Sequence, residues 1–252
     1  MLSTHPNGHP STRPDGLAQD FARRHTAGGL RGHAVAVDVV LFTIQGTILK
    51  VLLVKRQQAP FRGAWALPGG LVGSQESVDA AALRELQEET DIANVYLEQL
   101  YTFGDPIRDP RGRVVTVAYY ALVNLQQFQL RARQRVTEAN WFPVKRLPEL
   151  AFDHRRIVDY ALERLRNKTN YTTVGFQLLP RRFTLTELQS SYEVIMGRRL
   201  DKRNFRRKML QLGILKETRQ FQANGRQRPA RLYTFTEPRV VKLQEKGIVV
   251  PF

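Results

Sequence analysis

Residues 70–92 constrain this chain more than any other stretch. Gly70 opens the segment, Glu76 follows six positions later, and Arg84, Glu85, Glu88 and Glu89 come in the run that ends at Asp91 and Ile92. The spacing predicts a helix from about Glu76 to Glu89. On such a helix Glu85, Glu88 and Glu89 are related by steps of three and four, so they project within an arc of roughly 100°. Three carboxylates placed together repel one another, and they lie near the negative end of the helix dipole. A bound divalent cation would neutralise the cluster. All-oxygen ligation suits Mg²⁺ or Mn²⁺, with phosphates and waters completing the shell. Gly70 lets the preceding loop bend close to such a metal, where its backbone carbonyl is a candidate ligand. Three glutamates alone are more often a solvated helix face, so the residues around them carry the weight.

The chain has 252 residues with 42% hydrophobic content, enough for one large domain or two smaller ones. It lacks cysteine, which excludes disulfide frameworks and thiolate metal sites. No apolar run reaches the length of a membrane span, and the first residues lack the apolar stretch of a signal peptide. A cytoplasmic protein without membrane partners is therefore expected. The net charge of +16 is unevenly spread: residues 171–252 carry 17 Lys/Arg against 6 Asp/Glu, while residues 33–170 carry 18 against 15. A near-neutral body with a basic end suggests a separate module facing a polyanion.

Composition and periodicity divide the chain at 1–32, 33–168 and 169–252. The first segment is Pro-, Gly- and His-rich and reads as a disordered tail, with a short helix possible over Leu17–Arg24. In the second, strands are expected at Ala34–Ile44 and Leu49–Lys55 around a Gln45-Gly46-Thr47 turn, then at Trp65–Leu67, Val95–Phe103, Val114–Leu125 and Trp141–Val144. A second helix is expected over Asp153–Arg166, with Ile157, Tyr160, Ala161 and Leu165 on one face. Strands mixed with two helices give an α/β or α+β sandwich. Polar residues Asn167–Thr173 read as a linker. Beyond it, Thr184 and Glu187 form a capping box for a helix stopped by Gly197. Asp201 caps another, with Phe205, Met209 and Leu212 inward and Gly213 at its end. Strands at Ile214–Phe221 and Pro229–Phe235 flank Asn224-Gly225, a hairpin signal. Helix, turn, helix and hairpin is the order of an α+β winged helix-turn-helix domain.

Lys202, Arg203, Arg206 and Arg207 line the outward side of the second of these helices. In a helix-turn-helix that helix enters the major groove, where Arg reads guanine and other cations hold phosphates. Arg226, Arg228 and Arg231 flank the hairpin and are candidates for a wing on the DNA backbone or minor groove.

Residues 70–92 resemble the Nudix hydrolase signature, G-x5-E-x7-R-E-U-x-E-E-x-G-U with U aliphatic. Eight of nine fixed positions match, and Asp91 stands where the family has Gly. Asp tolerates the left-handed conformation that Gly would supply there. The resemblance implies that Glu85, Glu88 and Glu89 are metal ligands in catalysis, and that Glu76 and Arg84 form a supporting ion pair. The reaction it implies is attack of a metal-activated water on a diphosphate. The family usually takes a further base from outside the box, for which Glu138 is a candidate. Arg56, Arg62 and Arg108 are candidates for ligand phosphates, with surface roles equally open for each.

Thr102–Pro106, Leu200–Lys208 and Gly225–Tyr233, set beside the box, resemble the Nudix-related transcriptional regulators of NAD metabolism, the NrtR family. That resemblance implies an α/β Nudix fold, a mixed-sheet α/β/α sandwich, followed by the winged helix. It also implies a homodimer repressor on a palindromic double-stranded operator near NAD biosynthesis genes, with ADP-ribose or a related nucleotide as effector. Some relatives lack the box glutamates and only sense ligand. Their retention here leaves open hydrolysis of ADP-ribose to AMP and ribose 5-phosphate. Two other readings stand beside it. One is a Mg²⁺-dependent ADP-ribose pyrophosphatase whose basic domain serves another purpose. The other is a sugar-responsive regulator of the same architecture.

Overall fold

The computed structural model describes residues 33–125, 130–132, 136–169, 178–224 and 227–236. The tail 1–32, the Leu17–Arg24 helix and the tip of the last hairpin lie outside the described residues.

A mixed sheet forms the first body. It contains β1 (Ala34–Gln45), β2 (Ile48–Arg56), β3 (Trp65–Ala66), β4 (Gly69–Leu71), β5 (Glu98–Phe103), β6 (Val114–Leu122) and β7 (Val136–Pro143). The path β3-β2-β1-β6-β5 runs across it, with β4 paired to β1 and β7 to β2. β1 and β2 are an antiparallel hairpin, with Gly46 at φ 62 in the turn. β1 and β6 are parallel, which makes the sheet mixed. Alternation along β1 decides which layer each residue enters. Val37, Val39 and Leu41 pack towards α1 (Val78–Thr90), with Ala81, Ala82 and Leu86. Val40 and Phe42 pack on the opposite face against Ile157, Ala161 and Leu165 of α2 (His154–Thr169). The result is an α/β/α sandwich.

Several boundaries differ from the sequence reading. α1 starts at Val78 because the Ser77 side chain accepts a hydrogen bond from the Ala80 amide and caps it, leaving Glu76 in the loop. Gly69–Leu71 pairs with β1, where a loop was expected. β7 begins five residues before Trp141 because it pairs along β2. α2 runs on through Thr169, so the first half of the expected linker is helical, and Tyr160 is exposed while Val158 is buried.

The second body holds α3 (Leu185–Met196), α4 (Lys202–Gln211) and a small sheet ordered β8-β10-β9. Its strands are β8 (Phe183–Thr184), β9 (Leu215–Asn224) and β10 (Gln227–Phe235). Thr184 and Glu187 make the capping box, and Gly197 closes α3 at φ 70. The core comprises Phe183, Leu188, Tyr192, Phe205, Met209, Leu212, Ile214 and Tyr233. Asp201 caps α4 by accepting from the Asn204 amide at 2.8 Å. Asp201→Ala should lower stability by about 1 kcal/mol in thermal unfolding. The two bodies touch: Ile195 of α3 is fully buried in the cluster that contains Ile157 and Leu165. Arg166 Nε donates to the Ile195 carbonyl at 3.2 Å.

Candidate functional site: a carboxylate loop and a basic helix

Arg84 organises the first site. Its guanidinium donates to Glu76 at 2.6 and 2.9 Å, to Glu85 at 2.8 Å, to Glu88 at 3.3 Å and to the Leu71 carbonyl at 3.3 Å. One side chain thus ties the loop after β4 to the glutamate face of α1. The Gly73 amide donates to Glu76 at 2.7 Å and closes the loop from its other side. Hydrogen bonding from Arg84 and from Gly73 holds the Glu76 carboxyl well below the usual range, at about 2. The same hydrogen bonds raise Arg84 above its ordinary value, against the effect of burial.

Glu85 and Glu89 are buried, and Glu88 is half-exposed. The Gly69 amide donates to Glu89 at 3.2 Å. A Cβ added at Gly70 would collide with the Glu85 carboxylate, so only glycine permits this approach of loop to helix. Asp91 takes φ 63 and ψ 12 at the helix end, and its amide reaches the Gln87 carbonyl. The glycine-like conformation therefore survives the substitution.

Two buried carboxylates beside a glycine backbone fit a hard divalent cation in donor chemistry. Among the described residues, no three such side chains already close on one point. Glu85 and Glu88 are turned onto Arg84, and Glu89 onto the loop amide.

The other sequence candidates scatter. Arg56 lies at the end of β2, and its Nε donates to the Pro60 carbonyl at 2.9 Å. Arg62 is exposed in the turn before β3. Glu138 stands opposite Lys55 on the exposed side of β7 and pairs with it at 2.8 Å.

Arg108, grouped from sequence with the phosphate candidates, has a side chain only 3% exposed and is committed inside the protein. It reaches Asp153 at 2.7 Å and Asp38 at 3.2 Å. His154 Nε2 lies 3.2 Å from Asp38, while the Leu67 amide donates to its Nδ1 at 2.9 Å. An imidazole that accepts at Nδ1 has its Nε2–H free to donate to Asp38. Burial pushes the Asp38 carboxyl up, but His154 and Arg108 outweigh it and hold it at about 2. This buried group sits behind the Leu67–Gly69 segment that carries the loop. Sequence reading missed it, although Asp38 is a lone acid in an apolar, β-branched run.

α4 carries the second site. Phe205 and Met209 are buried, while Lys202, Arg203 and Arg207 are exposed on the other side. No acid lies in the first turn, where Lys202 and Arg203 face the positive end of the helix dipole. An arriving phosphate relieves that arrangement. Arg206 is less open and donates to Thr186 of α3 at 3.0 Å, and Arg207 donates to Asn204 at 3.0 Å. Arg231 pairs with Glu217 and lies over Phe221, 5.5 Å from its centroid. Arg226 and the Arg228 side chain lie outside the described residues.

The sandwich with its carboxylate loop is a Nudix domain, and the basic three-stranded module is a winged helix. Residues 32–161 match the NUDIX domain family, and residues 175–235 match the NrtR DNA-binding winged helix domain. The chain is 39% identical over 221 residues to the ADPR responsive transcriptional repressor NtrR of Acinetobacter baylyi, covering 86% of this chain and 88% of that protein. It superposes on Shewanella oneidensis NrtR in complex with a 27mer DNA with a TM-score of 0.70 at 38% identity. That match covers 86% of this chain and 97% of the other. The NUDIX domain of the same Shewanella protein in complex with ADP ribose gives a TM-score of 0.51 at 38% identity, covering 58% and 97%. The chain belongs to the NrtR family of Nudix and winged-helix repressors.

Proposed function

We propose that this chain is a transcriptional repressor that binds operator DNA through α4 and the wing, and that responds to ADP-ribose in its Nudix domain. The carrying observation is α4 itself, a capped helix with Phe205 and Met209 inside and Lys202, Arg203 and Arg207 outside. It stands on the same chain as the carboxylate loop of a Nudix domain. The Acinetobacter relative bears the name of an ADPR-responsive repressor, and the Shewanella relative was crystallised with DNA. The family resemblance extends the reading to a homodimer on a palindromic operator at NAD biosynthesis genes. An effector changes DNA affinity only by binding two arrangements unequally. The test is a mobility-shift titration with the DNA upstream of the NAD genes in its own genome. Specific binding altered at least tenfold by ADP-ribose is expected. Sequence-blind binding indifferent to ADP-ribose would sink the proposal.

Retention of Glu85, Glu88 and Glu89 favours a second activity at the same loop, hydrolysis of ADP-ribose. These residues, with the Gly70 carbonyl, would hold Mg²⁺ or Mn²⁺, which when bound activates water and neutralises phosphate charge. The chain's own part is to fix the loop on α1 through Arg84 and to keep the buried carboxylates in place. Glu88→Gln and Glu89→Gln are each expected to lower Mn²⁺ affinity at least tenfold by titration calorimetry. AMP release should fall at least 100-fold with them. Wild-type protein that binds no Mn²⁺ would overturn this part and leave the repressor reading standing. No helix among the described residues is long and apolar enough to cross a membrane.

A further inference from the structure

Between Leu178 and Thr236 the chain has four acids, Glu187, Glu193, Asp201 and Glu217. Three of them serve the backbone. Glu187 completes the capping box of α3, and Asp201 caps α4. Glu193 accepts from the Leu200 amide at 2.9 Å and so closes the turn between those helices. Glu217 has no such duty. Among the described residues it meets only the side chains of Arg231 and Tyr233.

Its place on the molecule is what needs explaining. The register of β9 and β10 puts Glu217 opposite Tyr233 and Phe221 opposite Arg231. Directly opposed residues share a face of the sheet. Tyr233 packs in the core beside Phe205 and Met209, so this face turns to α4. Burial and then the Glu217 charge raise the Tyr233 hydroxyl, while Arg231 and Arg206 of α4 act against them. A carboxylate therefore sits in the angle between the basic helix and the wing, where it repels an approaching phosphate. It also occupies Arg231, whose guanidinium lies over Phe221, 5.5 Å from the ring centroid. The Arg231 and Glu217 side chains are 46% and 52% exposed. Ion pairs this open are held weakly, so this one can part when a better partner arrives.

We propose that Glu217 is a specificity-determining latch, which keeps Arg231 on the wing when the protein rides random DNA and yields it to a backbone phosphate on the operator. The proposal deepens the repressor reading and rests on it. Random DNA is held through phosphates alone, so withholding one cation lowers the non-specific affinity that competes with the operator. On the operator, base contacts made by α4 offset the cost of parting the pair; on random sequence nothing does.

The experiment is fluorescence anisotropy of the full chain on operator and on random duplex of equal length, across a salt series. Arg231→Gln should flatten the operator log–log slope by about 0.9 and leave the random-duplex slope unchanged. Glu217→Gln should steepen the random-duplex slope by about 0.9 and raise that affinity about fivefold, with operator affinity altered less than twofold. Combining the two should return random-duplex binding to its wild-type value. A cross-strand pair that only braces the hairpin would lower the melting temperature in both single variants and move neither slope. An unchanged random-duplex slope in Glu217→Gln would overturn the latch, as would equal flattening of both slopes in Arg231→Gln. If wild type binds both duplexes alike but Glu217→Gln still steepens the slope, the withheld arginine stands and the repressor reading fails.

Discussion

Replacing Lys202, Arg203 and Arg207 together by glutamine is expected to weaken operator binding by about 3 kcal/mol, roughly 100-fold, at constant salt. All three are exposed on the outer side of α4, and none belongs to the core that Phe205 and Met209 share with Tyr192. Surface replacements of this kind leave folding stability within a few tenths of a kcal/mol, so urea unfolding should be unchanged. Salt dependence separates this from a folding defect. Each phosphate neutralised contributes about 0.9 to the log–log slope, so losing three contacts flattens it by up to about 3 units. Fluorescence anisotropy between low and moderate salt reads both quantities. An unchanged slope and affinity would remove α4 from the DNA interface.

Arg108→Met should destabilise the Nudix domain by about 3–5 kcal/mol at neutral pH, because it leaves Asp38 buried without its guanidinium. Arg108 and Asp38 are both largely inaccessible, so solvent screening offers no relief. The pH dependence has a definite sign. Asp38 is held at about 2 against an ordinary 3.8, a depressed carboxyl. Its contribution is present above the unfolded value and is lost as pH falls through about 2. The deficit of the variant should therefore be widest near neutrality and narrow between about pH 4 and pH 2. Urea midpoints across that range measure it. A deficit independent of pH would place the damage in packing and not in the Asp38 charge.

The legible parts of the sequence were those governed by local rules. The box spacing located α1 and its glutamates, and the capping residues Thr184 and Asp201 located α3 and α4. The left-handed helix end at Asp91 was legible through the Nudix resemblance, which has Gly at that position. What escaped is assembled from distant segments. Arg108 reads as a phosphate ligand or a surface cation in its loop until it is seen to meet Asp38, seventy positions earlier, and Asp153, forty-five later. The pairing of Gly69–Leu71 with β1 was hidden because glycine-rich segments look like turns while their hydrogen bonds are made by backbone alone.

The joint at Ile195 sets a rule for anyone who wishes to recombine this protein. Its side chain belongs to the sandwich core although its helix belongs to the DNA module, and Arg166 grips the carbonyl of the same residue. A chimera that exchanges the winged helix at the chain crossover after α2 would import a foreign residue into that core. The donor must therefore match Ile195 in shape as well as fold, and its aim on DNA will be inherited from the sandwich on which α3 is mounted.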